Sequence, residues 1–144
     1  MIERGGSFVL DASVGIKLLV PEPGSAEALA LVHEAWARRG TVHVPALFHA
    51  ECASGLWKRT RAGGLTPPQA LAQVEDLLAL DLRVTPLAAL VRPALDLATA
   101  LDISVYDACY VALAGLLDLP LVTADARLVR RLEDAGRQAR LLGA

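Results

Sequence analysis

The sequence predicts an α/β domain, with a central parallel sheet of four to five short strands flanked by helices on both faces. Three observations carry this expectation. Short apolar runs recur at 7–10, 42–44, 83–85 and 121–123, with a possible edge strand at 139–142. Between them lie stretches with apolar residues at helical spacing, opened by Ser, Thr, Asp or Pro and closed by Gly or Pro. Hydrophobic residues make up 54 % of the 144 residues, enough for a sizeable core and little disorder. The whole chain, 1–144, is expected to be one domain.

Each element has a local reason. The first strand ends at Asp11, and a helical pattern follows from Ser13 to Val20 until Pro21-Glu22-Pro23-Gly24 stops it. Ser25 caps a second helix with Ala26, Leu29, Ala30, Val32 and Ala37 as its apolar stripe. Arg38 and Arg39 suit its last turn, and Gly40 its C′ position. After the second strand, Pro45 opens a third helix with Phe48, Cys52, Ala53 and Leu56 on one face. It ends in the run Trp57-Lys58-Arg59-Thr60-Arg61 before Gly63-Gly64. Thr66-Pro67-Pro68 is a clean start signal for a fourth helix reaching about Leu80. Thr85-Pro86 repeats that signal, and Pro93 either kinks the next helix or marks a restart at Arg92. Ser104 and Asp107 open an apolar helix in the manner of a capping box. Asp125 is a good N-cap for a last helix ending near Ala135, with Gly136 at C′.

Composition excludes several classes. No apolar run approaches the roughly 18 residues of a membrane span. The Met-Ile-Glu-Arg-Gly-Gly start has neither the basic opening nor the apolar core of a signal peptide, so a cytoplasmic protein with no membrane segment is expected. Cys52 and Cys109 are too few for a disulfide framework, lack zinc-site spacing and read as buried, reduced thiols. A formal net charge of −2 argues against bulk attraction to nucleic acid, while leaving room for a local basic strip.

Chemistry points to four acids. Asp11 follows the first strand and Asp125 a later one, so both project from the carboxyl edge of the sheet, where α/β proteins bind ligands. Asp107 lies in the opening turn of the helix that precedes Asp125. Singly, each of these three has a local explanation as a cap. Glu51 has none: it sits mid-helix between Ala50 and Cys52. Carboxylates beside apolar elements cost desolvation and repel one another unless a cation joins them. The fitting cation is a hard divalent one, magnesium or manganese, which prefers oxygen donors and acts on phosphate esters.

These residues resemble a family. Asp11-Ala-Ser13 after the first strand, Pro45 with Glu51, Val105-Tyr106-Asp107-Ala108 and Leu121-Val-Thr123-Ala-Asp125 are similar, in order and separation, to the motifs of PIN-domain ribonucleases, with the toxins of VapBC toxin–antitoxin pairs nearest in likeness. The resemblance takes in the Lys58-Arg59-x-Arg61-x-Gly63 run as well. It implies adjacent first and fourth strands and hydrolysis of RNA by metal-activated water, with one or two magnesium or manganese ions. It also implies a homodimer and a small antitoxin protein that blocks the site. By motif position Asp11, Glu51, Asp107 and Asp125 would be the catalytic, metal-binding acids, with Ser13 and Thr123 as supporting hydroxyls. Lys58, Arg59, Arg61 and Arg127 are the candidate RNA contacts. Two other phosphoryl-handling readings fit less well. A haloacid-dehalogenase phosphatase needs a second aspartate where Ser13 stands, and a phosphoryl receiver needs a late lysine, absent after Lys58. The alternative from another class is a catalytically silent PIN-like module that binds RNA or protein.

Overall fold

The structure, a computed structural model, describes residues 6–143; most of the chain start considered above as a signal sequence lies outside the described residues. Five strands, β1 (Phe8–Leu10), β2 (Val42–Pro45), β3 (Arg83–Thr85), β4 (Leu121–Thr123) and β5 (Ala139–Leu141), pair in the order β3-β2-β1-β4-β5, all parallel. The central strands β1 and β4 are wholly buried, β1 being apolar throughout and β4 apolar up to Thr123, whose buried hydroxyl is hydrogen-bonded. The edge strands β3 and β5 carry exposed Arg83 and Arg140, which discourage further pairing.

Among the described residues seven helices join the sheet: α1 (Ala12–Gly15), α2 (Ser25–Ala37), α3 (Leu47–Arg61), α4 (Pro67–Ala79), α5 (Val91–Leu101), α6 (Val105–Leu117) and α7 (Ala126–Asp134). The chain steps outward from β1 to β3, then crosses back to β4 on the other side of β1. Parallel strands are joined by right-handed crossovers as a rule, so connections running in both directions from β1 place helices on both faces of the sheet. They also make β1 and β4 the point where strand order reverses, and a crevice opens at the carboxyl ends of such a pair. Among the described residues, no single helix is long and apolar enough to cross a membrane.

Most elements stand where the sequence puts them, and the differences have physical reasons. The helical pattern after Asp11 splits into α1 and a 3₁₀ turn at Ile16–Leu18. Ser25 is not the cap of α2. Gly24 is, at φ 94°, while the Ser25 hydroxyl accepts from the Glu22 N–H and donates to the Val20 carbonyl. The buried stripe of α2 is Ala28, Val32 and Ala35, one step round from the expected one. Arg39, not Gly40, takes the left-handed turn after α2, at φ 58°. Pro45 closes β2 instead of opening α3, whose first residue is Leu47. Thr85-Pro86 leads only into a 3₁₀ turn, and α5 starts afresh at Val91 with Pro93 in its first turn. The Thr66 signal holds in full: its hydroxyl accepts from Gln69 N–H, and the Gln69 side chain accepts from Thr66 N–H.

The core joins β1, β2 and β4 to α1, α3 and α6, with Phe48, Tyr110, Leu10 and Leu56 among its largest fully buried side chains. Gly15 shows how closely α1 and α3 approach. A Cβ there would lie 2.5 Å from Cε2 of Phe48 and 3.1 Å from Sγ of Cys52. Alanine would favour the helix by up to about 1 kcal/mol, but overpacking costs about 1–3 kcal/mol, so the clash wins. Gly15→Ala is expected to lower the urea midpoint. An unchanged midpoint would mean that Phe48 yields freely.

Candidate active site

The β1–β4 pair builds the floor of the site. Its register, Val9 against Leu121 and Leu10 against Val122, continues past β1: the Asp11 N–H donates to the Val122 carbonyl at 3.0 Å. Asp11 and Thr123 therefore stand side by side. Asp11 is 6 % exposed, yet its side chain caps no helix. Its Oδ2 accepts hydrogen bonds from Ser13 Oγ at 2.5 Å and Thr123 Oγ1 at 2.9 Å, and neither hydroxyl reaches Oδ1. The Ser13 hydroxyl also accepts from Ala124 N–H, and the Thr123 hydroxyl from Asp125 N–H. One small network thus fixes Asp11 and the turn after β4 together.

The other acids arrive from helix starts. Ser104 caps α6 by accepting from Asp107 N–H, and its hydroxyl also favours the ionised form of the half-buried Asp107 carboxylate. Asp125 caps α7 through Oδ1, which accepts from the N–H groups of Arg127 and Leu128. Asp107, Asp125 and Arg127 line one cleft with Ser104. Glu51, on α3, is half-buried, and its Oε1 accepts from the Tyr110 hydroxyl at 2.6 Å.

Electrostatics link the four acids. Burial pushes the Asp11 carboxyl up. The hydroxyls of Ser13 and Thr123 and the Ser13 N–H oppose that less strongly, and the charge of Asp125 adds to the rise. Glu51 is raised by burial first and then by Asp11 and Asp107, against the pull of Tyr110. Asp107 is raised by burial and by Asp11 and Asp125. Among the described residues, none of the four acids is ion-paired to a basic side chain. Asp11, Glu51 and Asp107 each feel at least one of the other acids, and among the described residues no side-chain cation pairs with them.

Among the described residues, no three His, Cys, Asp or Glu side chains form a group already able to hold a metal. A closed protein cage is therefore not the arrangement here. The donor set still fits magnesium or manganese, since magnesium is usually held by one or two carboxylates and keeps several waters. Zinc fits poorly: burial pushes the Cys52 thiol up to about 12, so it is no thiolate ligand at neutral pH.

The basic residues divide into two groups. Arg127 is exposed in the acid-lined cleft. Lys58 and Arg61 are exposed seven and ten residues beyond Glu51 on α3, which is roughly 10–15 Å along the helix axis. Arg61 lies over the ring of the exposed Trp57, 4.9 Å from its centroid. Arg59 is not available as expected: it pairs with Glu22, which also holds Lys17, and donates to the Gly55 carbonyl. Its charge ties the Pro-Gly loop to α3. Sequence reasoning missed the hydroxyl bond of Tyr110 to Glu51. The available signal was a tyrosine three residues after Asp107, bearing a hydroxyl that must find a partner when buried.

Comparison with known proteins agrees with this geometry. The PIN domain family matches residues 8–133. Ribonuclease VapC3 of Pyrobaculum aerophilum is 35 % identical over 126 residues, covering 86 % of this chain and 93 % of that protein. Mycobacterium tuberculosis VapC20, described as a sarcin–ricin loop cleaving toxin, shares the fold at a TM-score of 0.63 and 20 % identity, covering 90 % of this chain and 95 % of that one. A toxin–antitoxin complex from Klebsiella pneumoniae does so at 0.60 and 18 %, covering 83 % and 88 %. The buried aspartate at the strand-order reversal, the acids gathered around it and the match over nearly all of the chain lead to one conclusion: this chain belongs to the PIN-domain family, among the VapC ribonucleases.

Proposed function

We propose that the chain, read over 1–144 as one domain, is a magnesium- or manganese-dependent endoribonuclease, the toxin of a toxin–antitoxin pair. One observation carries the reading: Asp11 is a nearly buried carboxylate at the β1–β4 crevice, coupled to other acids and paired with no cation among the described residues. Such a charge destabilises the fold unless a ligand uses it. The similarity to proteins named ribonuclease VapC supports the reaction, and the likeness to a toxin–antitoxin complex supports a protein partner. A homodimer and a cytoplasmic site of action belong to the same reading.

Asp11 and Asp107 would hold the principal ion, and Asp125 and Glu51 would complete its surroundings, directly or through water. When bound, the ion supplies Lewis-acid charge to the phosphoryl oxygen and lowers the pKa of water. The protein does the rest. Ser13 and Thr123 hold Asp11 Oδ2 in one orientation. Arg127, beside Asp107 and Asp125, offers a forked cation to a phosphate next to the cleavage point. Lys58 and Arg61, farther along α3, meet the flanking backbone.

Purified chain should cleave members of a mixed RNA panel with manganese present and stop when chelator is added. Intact RNA under every condition would hand the assignment to the silent, binding-only reading.

A further inference from the structure

We propose that Tyr110 is a positioning residue, holding Glu51 in the single orientation that lets its second carboxylate oxygen serve the metal-binding site; this rests on the function proposed above. The Tyr110 ring is fully buried in α6, one turn beyond Asp107, and its hydroxyl crosses to α3 to donate to Glu51 Oε1 at 2.6 Å. That is the short distance of a charge-assisted bond. Glu51 Oε2 accepts no hydrogen bond among the described residues, and no buried side-chain oxygen or nitrogen there lacks a partner, so Oε2 opens to solvent. One oxygen is anchored and the other is presented.

Neither partner is explained by packing alone. Phenylalanine would fill the same space without a hydroxyl to satisfy. A buried tyrosine hydroxyl needs only a neutral acceptor, for which glutamine would serve without burying a charge. Glu51 caps no helix end and makes no ion pair among the described residues. A long carboxylate with three rotatable bonds gains a fixed direction from the Tyr110 hydroxyl, at the cost of side-chain freedom. Asp107 and Tyr110 share one face of α6, so the helix that delivers one acid to the site also steers another.

The test uses the full chain as wild type, Tyr110→Phe, Glu51→Gln and the double variant. Manganese alone is the titrant, read by calorimetry and by the manganese-induced rise in Tm. Tyr110→Phe should fold, with its metal-free Tm close to wild type, and bind manganese about 10–100-fold more weakly, the usual cost of losing a group that orients a ligand. In the Glu51→Gln background the same change should cost nothing further, because Tyr110 acts only through Glu51. Wild-type affinity in a folded Tyr110→Phe overturns the positioning role alone. So does an equal loss in both backgrounds, which marks a packing effect. A wild-type protein that binds no manganese overturns this role and the metal-dependent function together.

Discussion

Asp11→Asn is expected to abolish cleavage and, in the same protein without metal, to raise its Tm. The two effects have one cause. Asn keeps the shape of the side chain and an oxygen able to accept from the Ser13 and Thr123 hydroxyls, so the main change is the loss of the charge, with the weaker pull of the Ser13 N–H on it. For activity this would weaken the hold on the ion, and with it several kcal/mol of the charge stabilisation the ion would supply at the reacting phosphate, about 10²–10³-fold in rate or more. For stability the sign is opposite, because burial is the largest influence on Asp11 and it disfavours the ionised form. The carboxyl is raised in the folded state, so its penalty is full above the folded value and shrinks as pH falls from there to the ordinary carboxylate range. The gain from Asn should therefore shrink on acidification and vanish where folded and unfolded wild type are both protonated. Each kcal/mol relieved is worth about 4 °C in Tm for a chain of this size. A variant that loses activity and also melts earlier at neutral pH would mean the charged hydrogen bonds from Ser13 and Thr123 outweigh desolvation, making Asp11 a structural group.

Much of this site was legible because its acids sit where local rules already speak. Asp11 and Asp125 follow short apolar runs, and a residue just past a parallel strand can only emerge at the sheet's carboxyl edge. Ser104 and Asp107 carry the spacing of a helix start, which the structure keeps. What stayed hidden were partnerships between residues far apart in the chain. Tyr110 and Glu51 are 59 residues apart, and nothing in the periodicity of either helix aims one at the other. Arg59 looked free because its partner Glu22 lies in a Pro-Gly loop 37 residues upstream. The helix ends misread by a residue or two share a simpler cause. At Gly24 and Arg39 a left-handed backbone decides the boundary; a glycine adopts it in the first case, and in the second Arg39 does so although Gly40 is next to it.

Divalent metal should invert the response of this protein to pH. Without metal, Asp11, Glu51 and Asp107 all have raised carboxyls, so the folded state binds more protons than the unfolded chain from the ordinary carboxylate range up to the raised values. Stability must then fall as pH rises through that window, the reverse of a domain whose acids are salt-bridged. Under the proposed function manganese would bind the deprotonated acids in the folded state only, so it should compete with those protons and gain strength as pH rises. At 100 times its dissociation constant it should add about 2.7 kcal/mol, roughly 10 °C in Tm. Melting curves with and without manganese should therefore lie close together at the acid end of the window and diverge towards neutral pH, with chelator closing the gap. In Asp11→Asn the divergence should be much smaller, since the ion loses a principal ligand while the apo protein no longer carries that charge. A manganese shift of equal size in wild type and Asp11→Asn, or one that does not grow with pH, would place the ion elsewhere on the surface and leave the buried charge at the β1–β4 crevice without a purpose.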